Sequence, residues 1–300
     1  MSNALVGRYA RIYTKAIVLI GVLMGISVFV GIRAFSEPVK PDPIRTYPIE
    51  TKLQSMAVAN TRPEVYPRSD LEAASRVLRK NWEPRPGNNS FNHTVPTPDQ
   101  LRRIEVPPYM DARGHAALDA VTGHFIGTTD EILQWGAHKW GFDPDLVRAN
   151  AVDESSWRQN MIGDIGNGVS LGILQIKSRY YPGTCPQSPH FPSVVDPTSA
   201  HSIQQYLARE PSCLSYNSTA FAVDYRLAYF RACMNKSITY LFNHEPASGH
   251  SRYADANGDE LLWGCLGSWY SGYFWDSDAL DYIQRVLRLY AQKPWLESGF

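Results

Sequence analysis

Twelve of the chain's 21 prolines stand between residues 37 and 108, and this limits where a packed domain can form. Proline fixes φ near −65° and has no backbone donor, so a segment this rich in it reads as extended, partly polyproline II chain. One island breaks the pattern. In "SDLEAASRVLRKN", Ser69 stands at a cap position with Glu72 three residues on, and the spacing predicts a short helix over 69–81. Residues 37–111 therefore read as a stalk, and the folded domain is expected over 112–300.

The segment before the stalk explains why one would be needed. Residues 16–32, "AIVLIGVLMGISVFVGI", form an uncharged apolar run at the short limit for crossing a bilayer. Arg8, Arg11 and Lys15 precede it, which puts the N-terminus in the cytoplasm and everything beyond Arg33 outside. Residues 1–36 thus read as a cytoplasmic stub and single-pass anchor in cytoplasmic-membrane lipid. The competing reading is a cleaved signal peptide, with "AFS" at its end and a secreted product. Both export the rest. Formal net charge is zero, without the basic surplus that tracks phosphates, so no nucleic-acid partner is expected.

All four cysteines, Cys185, Cys213, Cys233 and Cys265, lie in the exported part. An even number there predicts two disulfides, with three connectivities open. No C-x-x-C spacing occurs, so no metal is expected. "DANGDE", residues 255–260, departs from a calcium loop because its glycine comes two places early, and reads as an Asn-Gly turn before a helix.

The 112–300 segment is expected to be mainly α. "TTDEILQWGAHKWG" has a threonine cap, acids in its first turn and a closing Gly141. "FDPDLVRANAVDESSW" has Asp143 at the cap and Pro144 at the first helical position. "DSDALDYIQRVLRLYAQ" carries Leu280, Ile283, Leu287 and Tyr290 at 3–4 spacing, as an amphipathic terminal helix does. No long alternating strand pattern and no internal repeat is present.

Within the second of these helices, Val147, Ala151 and Glu154 share a face, whereas Asp153 is turned about 100° away toward solvent or a loop. Glu154 thus follows an inward apolar stripe to the helix C-terminus. Desolvation and the negative end of the helix dipole both favour its neutral form, as a general acid requires. The glycine-rich "GDIGNGVSLGILQIK", residues 163–177, returns the chain toward this helix end.

A Glu-Ser pair at a helix end, then Gly-x-x-Gln, then an aromatic-Ser-Gly turn resembles the soluble lytic transglycosylase family of the lysozyme-like α+β superfamily. The likeness spans roughly residues 128–296. The Glu-Ser pair matches Glu154 and Ser155. The Gly-Leu-Met-Gln motif matches Gly172, Ile173, Leu174 and Gln175, and Ala-Tyr-Asn-Ala-Gly is met loosely by Trp269, Tyr270, Ser271 and Gly272, with Ser271 in place of Asn. The resemblance implies cleavage of the MurNAc-GlcNAc bond of peptidoglycan glycan strands, with Glu154 as single catalytic acid, a 1,6-anhydro product and no cofactor. Ser155, Gln175, Tyr225, Tyr270 and Ser271 become candidate substrate contacts, with Tyr270 a candidate hydrogen-bond partner of Glu154. Asp164 is the candidate second acid that a hydrolysing muramidase would need, unless it only caps the glycine turn. The remaining alternative is a catalytically idle wall-binding module.

Overall fold

Side-chain caps mark the start of most of the described helices. The computed structural model describes residues 66–300 apart from 166–167, 178 and 186–194. The anchor or signal expected over 16–32 and the first part of the stalk lie outside these residues. Among the described residues no helix is long and apolar enough to cross a membrane.

Helix α1 spans Asp70–Ser75, with the Ser69 hydroxyl accepting from the Glu72 amide. It realises the helix expected over 69–81, shortened to six residues. Short turns α2 (Asn89–Asn92) and α3 (Pro98–Leu101) follow, then α4 (Ala112–Asp119). In α5 (Thr129–Trp140), Thr128 and Glu131 form a reciprocal capping box and Gly141 closes the helix at φ +73°. In α6 (Pro144–Ser155), the Asp143 carboxylate caps the Asp145 amide, and Ser156 ends the helix in the left-handed region. Then come α7 (Ala200–Leu207), α8 (Leu214–Asn217), α9 (Thr219–Met234), α10 (Gly258–Ser271) and α11 (Ser277–Gln292). The fold of the described residues is mainly α.

Helix α9 is the axis of the core. Fourteen of its 16 residues are buried, as befits a helix that is apolar nearly all round and surrounded by others. It packs against α4, α5, α8 and α10, while α11 lies across α6 and α10. The fully buried stripe of α11 is Ala279, Tyr282, Ile283 and Val286. Of the four positions expected to form it, only Ile283 is fully buried. A tyrosine that counts as neutral by hydropathy therefore holds a core position.

Two features depart from the sequence expectation. Residues 66–111 are not stalk: they belong to one compact unit with the helices that follow. Ala73 and Val77 enter the main core, and Asn88 and Asn92 are buried. Glu83 Oε2 accepts from the Thr129 amide and hydroxyl and from Asn92 Nδ2, at 2.7, 3.0 and 2.8 Å. Proline fixes an extended path without saying whether water or protein lies beside it. The side chains that meet the body here are both apolar, Ala73, Val77 and Met110 among them, and polar, as Asn88 and Asn92 are.

The second departure is a three-stranded antiparallel sheet, β1 (Ile162–Gly163), β2 (Ser170–Leu171) and β3 (Ile176–Lys177), folded from the glycine-rich return loop. Leu171 pairs with both Ile162 and Ile176. Strands of two residues leave no alternation to read. Val169 and Leu171 join a small second core with Ile203, Leu207 and Tyr216, which also holds the Cys185–Cys213 disulfide. The other disulfide, Cys233–Cys265, ties α9 to α10. Each closes a loop of roughly thirty residues and removes about 3–4 kcal/mol of unfolded-state entropy.

Candidate active site

Four elements converge on one cleft of about 840 Å³: the end of α6, the small sheet, the end of α10 and the first turns of α11. Glu154 reaches it from α6. Its carboxyl is surrounded by protein yet open to the cleft, and that desolvation raises its pKa to about 7. The Tyr282 hydroxyl, Arg226 and Arg285 work against the rise, and Asp153 adds to it. Tyr282 donates to Glu154 Oε1 and accepts from Asn150 Nδ2, so the direction of this chain is fixed. With Oε1 occupied as an acceptor, the proton of the neutral acid belongs on Oε2.

The chain after Glu154 is held in conformations that L-residues rarely adopt. Of the seven non-glycine residues with positive φ among those described, four are Ser156, Trp157, Asp164 and Gln175. Such strain persists only where surrounding contacts enforce it, and it gathers at functional sites. Here the contacts are specific. Arg85 Nε donates to the Ser156 carbonyl at 2.7 Å, Asn88 Nδ2 to the Trp157 carbonyl at 2.7 Å, and Asn88 Oδ1 accepts from the Gln159 amide at 2.9 Å. Gln159 in turn accepts from the Ile173 amide and donates to the Ser215 and Tyr216 carbonyls. Neither Asn88 nor Gln159 is distinguishable in sequence from ordinary loop residues. Asn88→Ala would leave a buried carbonyl and a buried amide unpaired. It is expected to cost on the order of 2 kcal/mol and to lower Tm by roughly 5 °C in a thermal scan.

Two glycines permit the close approach of this loop. A Cβ on Gly172, whose φ is +80°, would sit 2.2 Å from the Ser215 carbonyl oxygen, and one on Gly163 would meet Gln175 Oε1 at 2.3 Å. The Gln175 side chain therefore lies over the β1 backbone, with Nε2 donating to the Gly172 carbonyl at 2.9 Å.

Of the residues expected at the site, Glu154, Asp164, Gln175, Tyr270 and Ser271 line the cleft. Ser155 and Tyr225 do not. The Ser155 hydroxyl is buried and donates to the Ile173 carbonyl at 2.8 Å, which fastens the return loop to α6. Tyr225 is fully buried behind Tyr181, ring centroids 5.9 Å apart. Its place on an almost wholly buried helix makes it core. Ser271 bonds within its own turn, donating to the Tyr273 carbonyl and accepting from its amide. Tyr270 is 54% exposed and stacks on Tyr282 at 4.9 Å. The hydroxyl that reaches Glu154 is thus that of Tyr282. The signal in sequence was Tyr282's place on the α11 stripe, three residues before Arg285.

Two of the other acids of the cleft are engaged with cations. Asp153 receives Arg285 Nε and Nη2 at 3.0 and 3.1 Å, which tethers α6 to α11 rather than facing solvent. Burial pushes the pKa of Asp164 up, but the Ser170 hydroxyl and the Lys177 ammonium outweigh it and hold the carboxyl below its ordinary value. Asp278, exposed in the first turn of α11, is the remaining carboxylate on the cleft. Aromatic rings make up much of the rest: Tyr109, Tyr229, Tyr240 and Trp269 line it, and Tyr180, Tyr270 and Tyr273 stand about half exposed at its edge. A shielded neutral carboxyl in a ring-lined groove is equipped to protonate a leaving oxygen on a ligand with flat apolar faces. No family model, curated protein or solved structure matches the chain.

Proposed function

We propose that the protein is a peptidoglycan lytic transglycosylase of the lysozyme-like superfamily that uses Glu154 as its only catalytic carboxyl. The observation that carries this reading is the contrast among the acids of the cleft. Glu154 is held neutral up to about pH 7, whereas Asp153 and Asp164 are bound to cations. Ordinary glycosidases need two carboxyl groups, the second to activate water or attack the sugar. A lytic transglycosylase, by the resemblance, needs one.

In the proposed reaction Glu154 Oε2 protonates the glycosidic oxygen between N-acetylmuramic acid and N-acetylglucosamine. The substrate's own N-acetyl group stabilises the oxocarbenium-like centre. Glu154, now a carboxylate, takes the proton of the muramyl C6 hydroxyl as that oxygen attacks C1, closing the 1,6-anhydro ring. Proton donor and proton acceptor are one group, so a pKa close to the working pH serves both steps. Exposed tyrosines at the cleft edge offer stacking surfaces for pyranose rings, and Gln175 and the Asp164–Lys177 pair offer polar contacts. Delivery to the wall rests on residues 16–32 acting as anchor or signal.

Hydrolysis of the same bond is the second reading, and Asp278 favours it as a carboxylate without a cation pair among the described residues. Mass spectrometry of digested sacculi separates the possibilities. The proposal expects 1,6-anhydromuramyl ends. Reducing ends that vanish in Asp278→Asn would establish a muramidase, and intact sacculi a wall-binding module.

A further inference from the structure

Helix α9 carries two charged side chains into the core, and the protein treats them oppositely. The Asp224 carboxylate accepts from Lys139 Nζ, Trp140 Nε1 and the amides of Thr122 and Gly123, all within 2.9 Å. Two residues on, Arg226 is also fully buried, yet Nε, Nη1 and Nη2 have no hydrogen-bond partner among the described residues. Its guanidinium lies 4.0 Å from the centre of the Trp269 ring and 5.3 Å from that of Phe230. A buried cation with unfilled donors strongly destabilises a fold unless an opposite charge offsets it. Packing alone would be served better by methionine.

Trp269 lines the cleft, so Arg226 lies directly behind the cleft wall. Burial lowers the pKa of the guanidinium, and the groups that work against that and favour its charge are Tyr282, Glu154, Tyr181 and Tyr229. Burial drives the three tyrosines well above their ordinary pKa, which keeps them neutral. Glu154 is the one carboxyl among them. The groups that act on Glu154 are Tyr282 and Arg285 on α11, Arg226 on α9 and Asp153 beside it on α6; the cleft also carries Asp278 on α11 and the Asp164–Lys177 pair on the sheet, and Arg285 is already committed to Asp153.

We infer that Arg226 is a positioning residue for the proposed acid, a buried counter-charge behind Trp269 that stabilises Glu154 once its proton has gone. The inference rests on the reading of Glu154 as proton donor and deepens it. The neutral acid needs only burial. The carboxylate formed in the middle of the reaction needs a nearby cation that water does not screen, or it would reclaim its proton before taking one from the C6 hydroxyl. Arginine suits the place because it stays charged and lies flat on an indole.

The test is the titration of Glu154 in the full chain, followed by carbon-detected NMR of ¹³C-glutamate protein, with the resonance assigned by Glu154→Gln. Arg226→Met and Arg226→Gln are expected to move that titration upward by about one pH unit or more. The alkaline limb of kcat/KM for glycan cleavage should move with it, and kcat should fall about tenfold or more as the carboxylate becomes a poorer intermediate. Arg226→Lys should restore most of both, and thermal unfolding should show the methionine variant at least as stable as wild type. A Glu154 titration that stays in place in either folded neutral variant overturns the inference, as does a lysine variant that shifts as far as methionine. If instead Glu154→Gln still cleaves glycan, the catalytic reading fails, while the titration still reports whether the two side chains are coupled.

Discussion

Replacing Glu154 with glutamine is expected to lower glycan-strand cleavage by about three orders of magnitude, the range that general acid–base catalysis supplies. The amide keeps the volume of the acid and can still accept from the Tyr282 hydroxyl, so the cleft should keep its shape and its affinity for intact strands. What it lacks is a transferable proton. A drop in kcat with little change in KM is therefore the expected signature. The pH profile of the wild type supplies a companion reading. With Glu154 titrating at about 7, kcat/KM should fall tenfold for each pH unit above that point, because only the protonated form can act on the leaving oxygen. Activity in Glu154→Gln within tenfold of the wild type would remove Glu154 from the mechanism. Attention would then move to Asp278, the carboxylate of the cleft that has no cation pair among the described residues.

The parts of this molecule legible in its sequence are those fixed by local chemistry. Thr128 with Glu131, and Asp143 with Pro144, mark helix starts because a cap is satisfied within three residues of itself. The inward turn of Glu154 follows from helical phase for the same reason. What escaped detection depends on partners far along the chain. Asn88 meets Trp157 and Thr129, Tyr282 meets Glu154 and Asn150, and Arg226 meets Trp269, all across separations that no periodicity records. The proline-rich segment misled because proline reports backbone conformation and not contact. Tyr270 stands out in the sequence because it lies in a motif, and Tyr282 lies in none. The geometry instead makes Tyr270 a lid on the ring of Tyr282.

The same substitution that removes the acid is expected to stabilise the protein, and the effect should depend on pH in one direction only. Glu154 titrates at 4.5 in an ordinary setting and at about 7 in the fold. Below pH 4.5 it is protonated in both folded and unfolded states and contributes no difference. Between 4.5 and 7 the unfolded chain releases the proton and the folded protein keeps it, so rising pH favours unfolding. Above 7 both states are ionised and the penalty is complete, at about 3 kcal/mol for a shift of this size. Glutamine cannot titrate. The stability of Glu154→Gln minus that of the wild type should therefore climb by about 3 kcal/mol between pH 4 and pH 8.5, or roughly 6–12 °C in Tm for a domain of this length. Asp111 and Asp164, held below their ordinary values, titrate alike in both proteins and cancel from the difference. Urea or thermal unfolding across that pH range gives the curve directly, and a flat one would mean that the carboxyl is not desolvated as described. A climbing curve bears on function as well as on folding. A wall-binding module has no use for a group that weakens its own fold at neutral pH, whereas a proton donor cannot work without the burial that causes the weakness.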